Sequence, residues 1–255
     1  MKIFDTHAHY DNEAFDADRE EILASLDAQG IGTIVNVGAS IRSTQKTLDL
    51  TRRYPFIYGA AGVHPNETGE LDEGGMDWLR QVTREEKIVA VGEVGLDYHW
   101  GEPEPKIQKY WFARQLALAR ETGIPVVIHS RDAAKDTLDI LKAEQGAKTG
   151  GVIHCFSYGT ELAREYLQMG FYLGIGGVVT FSNAKKLKEV VKYAPLEQLV
   201  LETDCPYLSP EPNRGKRNTS LNLPYVACQI AQLKGIPAEK VIAATTQNAR
   251  KLYRI

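Results

Sequence analysis

Five of the six histidines in this 255-residue chain stand at the downstream end of a short apolar run. The first two belong to Ile3-Phe4-Asp5-Thr6-His7-Ala8-His9, spaced one residue apart. In an extended strand residues i and i+2 share a face, so both imidazoles point the same way. Neutral imidazole is a common ligand of divalent transition metals, and two on one face supply half of a coordination shell. His64, His129 and His154 close later runs, Glu93 closes another, and Asp204 follows the last in Leu201-Glu202-Thr203-Asp204. Any one of them alone reads as a hydrogen-bonded polar group at a strand end. Their recurrence at equivalent positions reads as a metal centre.

Leaving His64 aside, four histidines and two carboxylates exceed what one four-coordinate ion needs, whereas two ions bridged by a carboxylate use them all. Glu93 is the expected bridge, because its strand falls between those carrying the other ligands. His7, His9, Glu93 and Asp204 then hold one ion, and Glu93, His129 and His154 the other. Zinc, manganese, iron and magnesium all remain open as the metal. Such a pair lowers the pKa of bound water from 15.7 toward roughly 7, giving hydroxide for attack on phosphorus or on a carbonyl. Asp204 is the expected proton acceptor.

These residues need elements to carry them. Short apolar runs alternate with helical patterns throughout, which predicts strands at about 2–6, 33–37, 57–63, 88–91, 125–128, 151–153, 172–175 and 199–202. Apolar residues at helical spacing lie between them, as in Phe112, Leu116 and Ala119. Gly30, Gly123 and Gly170 follow helical runs, where left-handed caps belong. Two final helices are separated by Gly235 and Pro237. Eight strand and helix units fit a (β/α)8 TIM barrel or an open doubly wound sheet. Ligands from the first and last strands converge only around a barrel mouth, at the C-terminal strand ends, so the barrel is expected, as one domain over residues 1–255. Gly174-Ile175-Gly176-Gly177 is the only dinucleotide-like fragment, and Val179 stands where its last glycine belongs.

A net charge of −3 gives no global attraction for polyanions, so nucleic-acid contact must rest on a local basic patch. Pro212-Asn213-Arg214-Gly215-Lys216-Arg217 supplies one after the eighth strand, and Arg131 adds a guanidinium two residues past His129. Tyr10 and Tyr207 are expected near the mouth, placed to stack on bases. Asp5 and Glu202 each precede a ligand by two residues and are expected to orient imidazoles from behind. Cys155 and Cys205 directly follow ligands and should turn toward the helices. The three cysteines form no C-x-x-C, no run approaches the ~18 apolar residues of a membrane span, and a reducing cytoplasm is expected.

The set of motifs resembles the TatD-like deoxyribonucleases, metal-dependent hydrolases on a barrel. The matching stretches are Phe4-Asp5-Thr6-His7-Ala8-His9, Gly62-Val63-His64-Pro65, Gly92-Glu93-Val94-Gly95-Leu96-Asp97-Tyr98, Ile128-His129-Ser130-Arg131-Asp132-Ala133, His154-Cys155-Phe156-Ser157 and Leu201-Glu202-Thr203-Asp204-Cys205-Pro206. The resemblance implies that His7, His9, Glu93, His129, His154 and Asp204 are metal ligands and that His64 meets substrate phosphate. It also implies DNA as substrate, trimmed from single-stranded 3′ ends, with no obligate protein partner evident. Tyr158 and Thr219-Ser220 depart from the family pattern, the second in a loop expected to bear on substrate preference. The same centre would serve an aminoacyl-tRNA deacylase or another ester or amide hydrolase, and a metal-binding barrel without activity is the nonenzyme alternative. A deacylase needs a carboxylate for the amino group, and Asp97 and Asp132 are the two available at the mouth.

Overall fold

The computed structural model describes residues 2–255. Eight parallel strands follow one another in chain order around a ring: β1 (Ile3–Ala8), β2 (Ile31–Val37), β3 (Ile57–Ala61), β4 (Ile88–Asp97), β5 (Val126–Arg131), β6 (Gly151–Ile153), β7 (Tyr172–Ile175) and β8 (Leu199–Leu201). A bridge between Ala8 and Cys205, with Thr6 Oγ1 donating to the Leu201 carbonyl, joins β8 back to β1. The expected barrel is therefore present.

The helices that follow successive strands are α1 (Arg19–Leu26), α2 (Ile41–Arg53), α3 (Glu73–Val82), α4 (Pro105–Thr122), α5 (Ala134–Ala143), α6 (Thr160–Gln168), α7 (Lys185–Tyr193) and α8 (Leu223–Lys234), with α9 (Ala238–Tyr253) added at the end. Their termini obey local chemistry. Ser40 caps α2 by accepting from the Ser43 amide, Pro105 opens α4, and Gly30, Gly123 and Gly170 take the left-handed conformation expected of them.

Between strands and helices lies the main core, including Leu23, Leu79, Phe112, Leu116, Tyr166 and Ile230. A second cluster fills the barrel with Phe4, Val35, Ala60, Val89, Val127, Val152 and Val200. Each fully buried valine there contributes about 1.5–3 kcal/mol. The floor is closed by the last turn of α9: Tyr253 stacks on Phe4 at 6.0 Å, and its hydroxyl donates to the Thr6 carbonyl at 3.0 Å.

Five strands end differently from expectation, among them β3, which stops two residues early at Ala61, and β5, which runs three residues on to Arg131. β4 runs on to Asp97 because a register shift between Val91 and Val94 lets the ladder with β5 resume at Val94/Ile128 and end at Asp97/Arg131. Such a bulge re-aims a side chain without ending the strand, and here that side chain is Glu93. β1 extends to Ala8, while β8 stops at Leu201 and leaves Asp204 on a turn at φ 56°.

Candidate metal centre

Five of the six expected donors, His9, Glu93, His129, His154 and Asp204, line a cavity of about 350 Å³ at the C-terminal mouth of the barrel together with His64, and the sixth, His7, is buried behind them. Larger grooves lie elsewhere, but they lack this density of ligating side chains. His7 Nε2 and His9 Nε2 are 3.0 Å apart. Glu93 Oε2 lies 3.3 Å from the first and 3.8 Å from the second, and Asp204 Oδ1 lies 3.7 and 3.3 Å from them. Four ligands held tetrahedrally ~2.1 Å from an ion are separated by ~3.4 Å, so these spacings are those of a ready donor set.

The outward ring nitrogens of His9 and His154 each face an oxygen. His9 Nδ1 faces the Val37 carbonyl at 2.8 Å, and His154 Nδ1 lies 3.0 Å from Glu202 Oε1, leaving both Nε2 atoms toward the centre. The Cys155 amide donates to the same Glu202 oxygen at 2.6 Å. Room for that carboxylate comes from Gly174, where a Cβ would stand 2.1 Å from Glu202 Oε2. This gives the glycine fragment on β7 a structural reason in place of a dinucleotide.

The other oxygen of Glu93 faces a second set. Oε1 lies 2.8 Å from His129 Nδ1 and 3.8 Å from Nε2 of both His64 and His154. His64, Glu93 and His129 are close enough together to hold an ion, so His64 stands as near the second set as the expected His154. His129 is also held from its far side, where Asp97 Oδ2 lies 3.0 Å from Nε2.

Electrostatics follow from this packing. Burial acts to raise Glu93, but the His154 and His7 imidazoles outweigh it and hold its carboxyl well below the usual range. Burial pulls His154 down, and the Glu202, Glu93 and Asp204 carboxylates outweigh it, pushing that imidazole up to about 10. The same contest, with Asp204 as the main partner, brings His9 to about 9. His64 lacks such support: burial and the neighbouring His129 lower it to about 3.

Several expectations are corrected. Asp5 orients no imidazole; its oxygens accept from the His7 and Thr203 amides and from the Thr203 and Ser220 hydroxyls. Ser220 thus lies beneath the centre, although its loop was expected to govern substrate preference. Tyr10 is fully buried, with its hydroxyl 2.9 Å from Ser220 Oγ, and cannot stack on a base. Tyr207 is 54% exposed at the cavity rim, as expected. Burial and the Asp204, Glu202 and Glu93 charges push the Cys155 thiol well up.

The basic loop does not line the cavity. Arg217 makes a bidentate pair with Asp18 at 2.8 and 2.5 Å and donates to the Ala14 carbonyl, Arg214 lies 4.2 Å over the Phe181 ring, and Lys216 is exposed. Arg131 is exposed on the rim near Trp100. Residues missed from sequence include Asp97 as the partner of His129, and Asp11, which lines the cavity and accepts from Asn36 and Ser43. The two-residue repeat that pairs His7 with His9 continues to Asp11, and it also links Glu93 with Asp97. That was the available signal.

A parallel eight-stranded barrel with this histidine and carboxylate cluster at its mouth is a metal-dependent hydrolase. The chain matches the family model of TatD-related DNases over residues 4–254, and it belongs to that family. It is similar to the metal-dependent hydrolase YabD of Bacillus subtilis, 46% identical over 253 residues and covering 99% of each chain. A relative from Cronobacter sakazakii, named 3′-5′ ssDNA/RNA exonuclease TatD, is 34% identical over 98% of this chain and 97% of its own. The crystal structure of YJJV, a TatD homologue from Escherichia coli, superposes with a TM-score of 0.93 at 30% identity, covering 99% of this chain and 98% of that one.

Proposed function

We propose that this protein is a two-metal deoxyribonuclease that shortens single-stranded DNA from the 3′ end in the cytoplasm, using a single barrel domain. The observation that carries the reading is the two-sided Glu93 carboxylate, with Oε2 toward His7 and His9 and Oε1 toward His129, His64 and His154. Divalent cations held there would supply Lewis acidity and a water acidified to near-neutral pKa.

The chain's own groups do the rest. Asp204 is a carboxylate at neutral pH, because His154 and His9 outweigh the effect of burial, and it accepts the water's proton. His64 is neutral there, and its Nδ1 accepts from the Asn66 amide at 3.2 Å. The ring proton therefore sits on Nε2, aimed into the cavity as a donor to a nonbridging phosphate oxygen. The water oxygen bonds to phosphorus as the bridging P–O bond breaks, and the leaving oxygen takes up the proton that Asp204 received from the water. Arg131, Arg214 and Lys216 grip flanking phosphate.

The naming of the Cronobacter relative as an ssDNA/RNA exonuclease supports this substrate class. Against a deacylase stands the engagement of both mouth carboxylates: Asp97 faces His129, and Asp132 Oδ2 lies 3.1 Å from His99 Nδ1. The test is a time course of metal-loaded protein on end-labelled linear strands, circular strands and aminoacyl-tRNA. Linear strands should shorten stepwise while circles resist. Equal loss of both strands, or faster aminoacyl-tRNA turnover, would overturn the reading.

A further inference from the structure

We propose that Trp100 and Arg131 form a nucleotide subsite on the rim of the centre, the indole taking a base of single-stranded DNA and the guanidinium the phosphate beside it. The inference rests on the nuclease reading above and names the grip on the strand outside the scissile bond.

Trp100 is 66% exposed, the most open large apolar side chain among the described residues. A side chain of this size gains by being covered, yet no packing contact of the barrel covers it. It lies in the loop from β4 to α4, three residues past Asp97. That carboxylate holds His129 on one side and accepts from the His99 amide at 2.9 Å on the other, so the root of the loop is tied to the metal donors. The His99 ring meets the indole edge-on at 4.8 Å, which holds Trp100 in place. Arg131 closes β5 opposite Asp97 in the ladder, and its guanidinium carbon stands 5.6 Å from the indole centroid.

Several of the cation and ring pairs are also tied to a carboxylate. Over Tyr110, Arg114 is committed to Glu73 at 2.6 Å. Arg131 has no carboxylate within ion-pair distance among the described residues, since the adjacent Asp132 turns to His99. Its N–H groups can thus take phosphate oxygens while it lies near the ring. A stacking ring beside a cation is how single strands are held without base reading, and it does not need the favourable net charge that this chain lacks.

The test compares KM and kcat of metal-loaded wild type, Trp100→Ala, Trp100→Phe and Arg131→Ala on a single-stranded oligonucleotide and on a dinucleotide too short to reach the rim. Trp100→Ala should raise KM for the oligonucleotide about tenfold, with a smaller change for the dinucleotide, and Trp100→Phe should recover most of the loss. Arg131→Ala should raise KM and reduce the salt slope of binding by about 1. The indole emission lost in Trp100→Ala should be the part that the oligonucleotide quenches in wild type. Equal KM for wild type and Trp100→Ala on the oligonucleotide, or equal rises on both substrates, would remove the subsite and leave the nuclease reading standing. A wild type that turns over no nucleic acid removes both.

Discussion

Asp97 and Glu93 hold His129 from opposite sides, with Oδ2 of the first 3.0 Å from Nε2 and Oε1 of the second 2.8 Å from Nδ1. Both carboxylates come from one strand, four residues apart, so one extended segment sets the ring plane. Replacing Asp97 by Asn keeps the shape and removes the charge. Metal affinity should fall about 10- to 100-fold, as for other partners of ligating histidines, with the fold retained. Competition against a chromophoric chelator measures this, and an unchanged affinity would make Asp97 a bystander.

Glu93→Ala should empty the centre or leave one ion loosely held, because both donor sets share this carboxylate. His129→Ala should lower metal content by about one ion only. Elemental analysis of protein prepared without chelator distinguishes the two, and a Glu93→Ala chain still carrying two ions would exclude the bridge.

The metal-free centre should be sensitive to alkali. His154 at about 10 and His9 at about 9 are raised above the ordinary 6.5 of the unfolded chain. Their protonated forms stabilise the fold fully below pH 6.5, and that contribution disappears as pH climbs through 9 to 10. Thermal midpoints of chelator-treated protein should decline across this interval. Glu202→Gln should flatten the decline by removing the main charge behind His154. Metal uptake should release protons in the same range and tighten as pH rises, which calorimetry in two buffers of different ionisation enthalpy would detect.

Arg217→Ala should lower the thermal midpoint and leave the salt dependence of DNA binding as it was, since this guanidinium fastens its loop to Asp18. Arg214→Ala with Lys216→Ala should reduce that salt dependence by up to about 2 in slope. If Arg217→Ala alone flattens the slope, the pair with Asp18 opens when DNA binds.

The convergence of the candidate donors was legible in the sequence because strand periodicity and strand ends are local properties: His7 and His9 face one way through spacing alone, and a barrel gathers every strand end at one mouth. What escaped depends on contacts between distant segments. Arg217 reads as a free cation until Asp18, far back in the chain, is brought against it. Tyr10 reads as a rim aromatic until Ser220 folds over it. Glu93 looks like the end of β4 because two nearby glycines break the apolar run, whereas a bulge carries the strand on to Asp97. Asp5 was expected to act on an imidazole, and it is taken up by Thr203 and Ser220 across the seam between β1 and β8.

The hydroxyl of Tyr253 meets the carbonyl of Thr6 across 247 positions of chain. Thr6 immediately precedes His7, so the floor of the barrel and the first metal donor share a backbone segment. During synthesis at the ribosome, the amino-terminal strand must wait for Tyr253 to be made before this tether forms. Such a long-range closure makes completion of the ring a late step, with the mouth of the barrel maturing only after α9 has joined the strands.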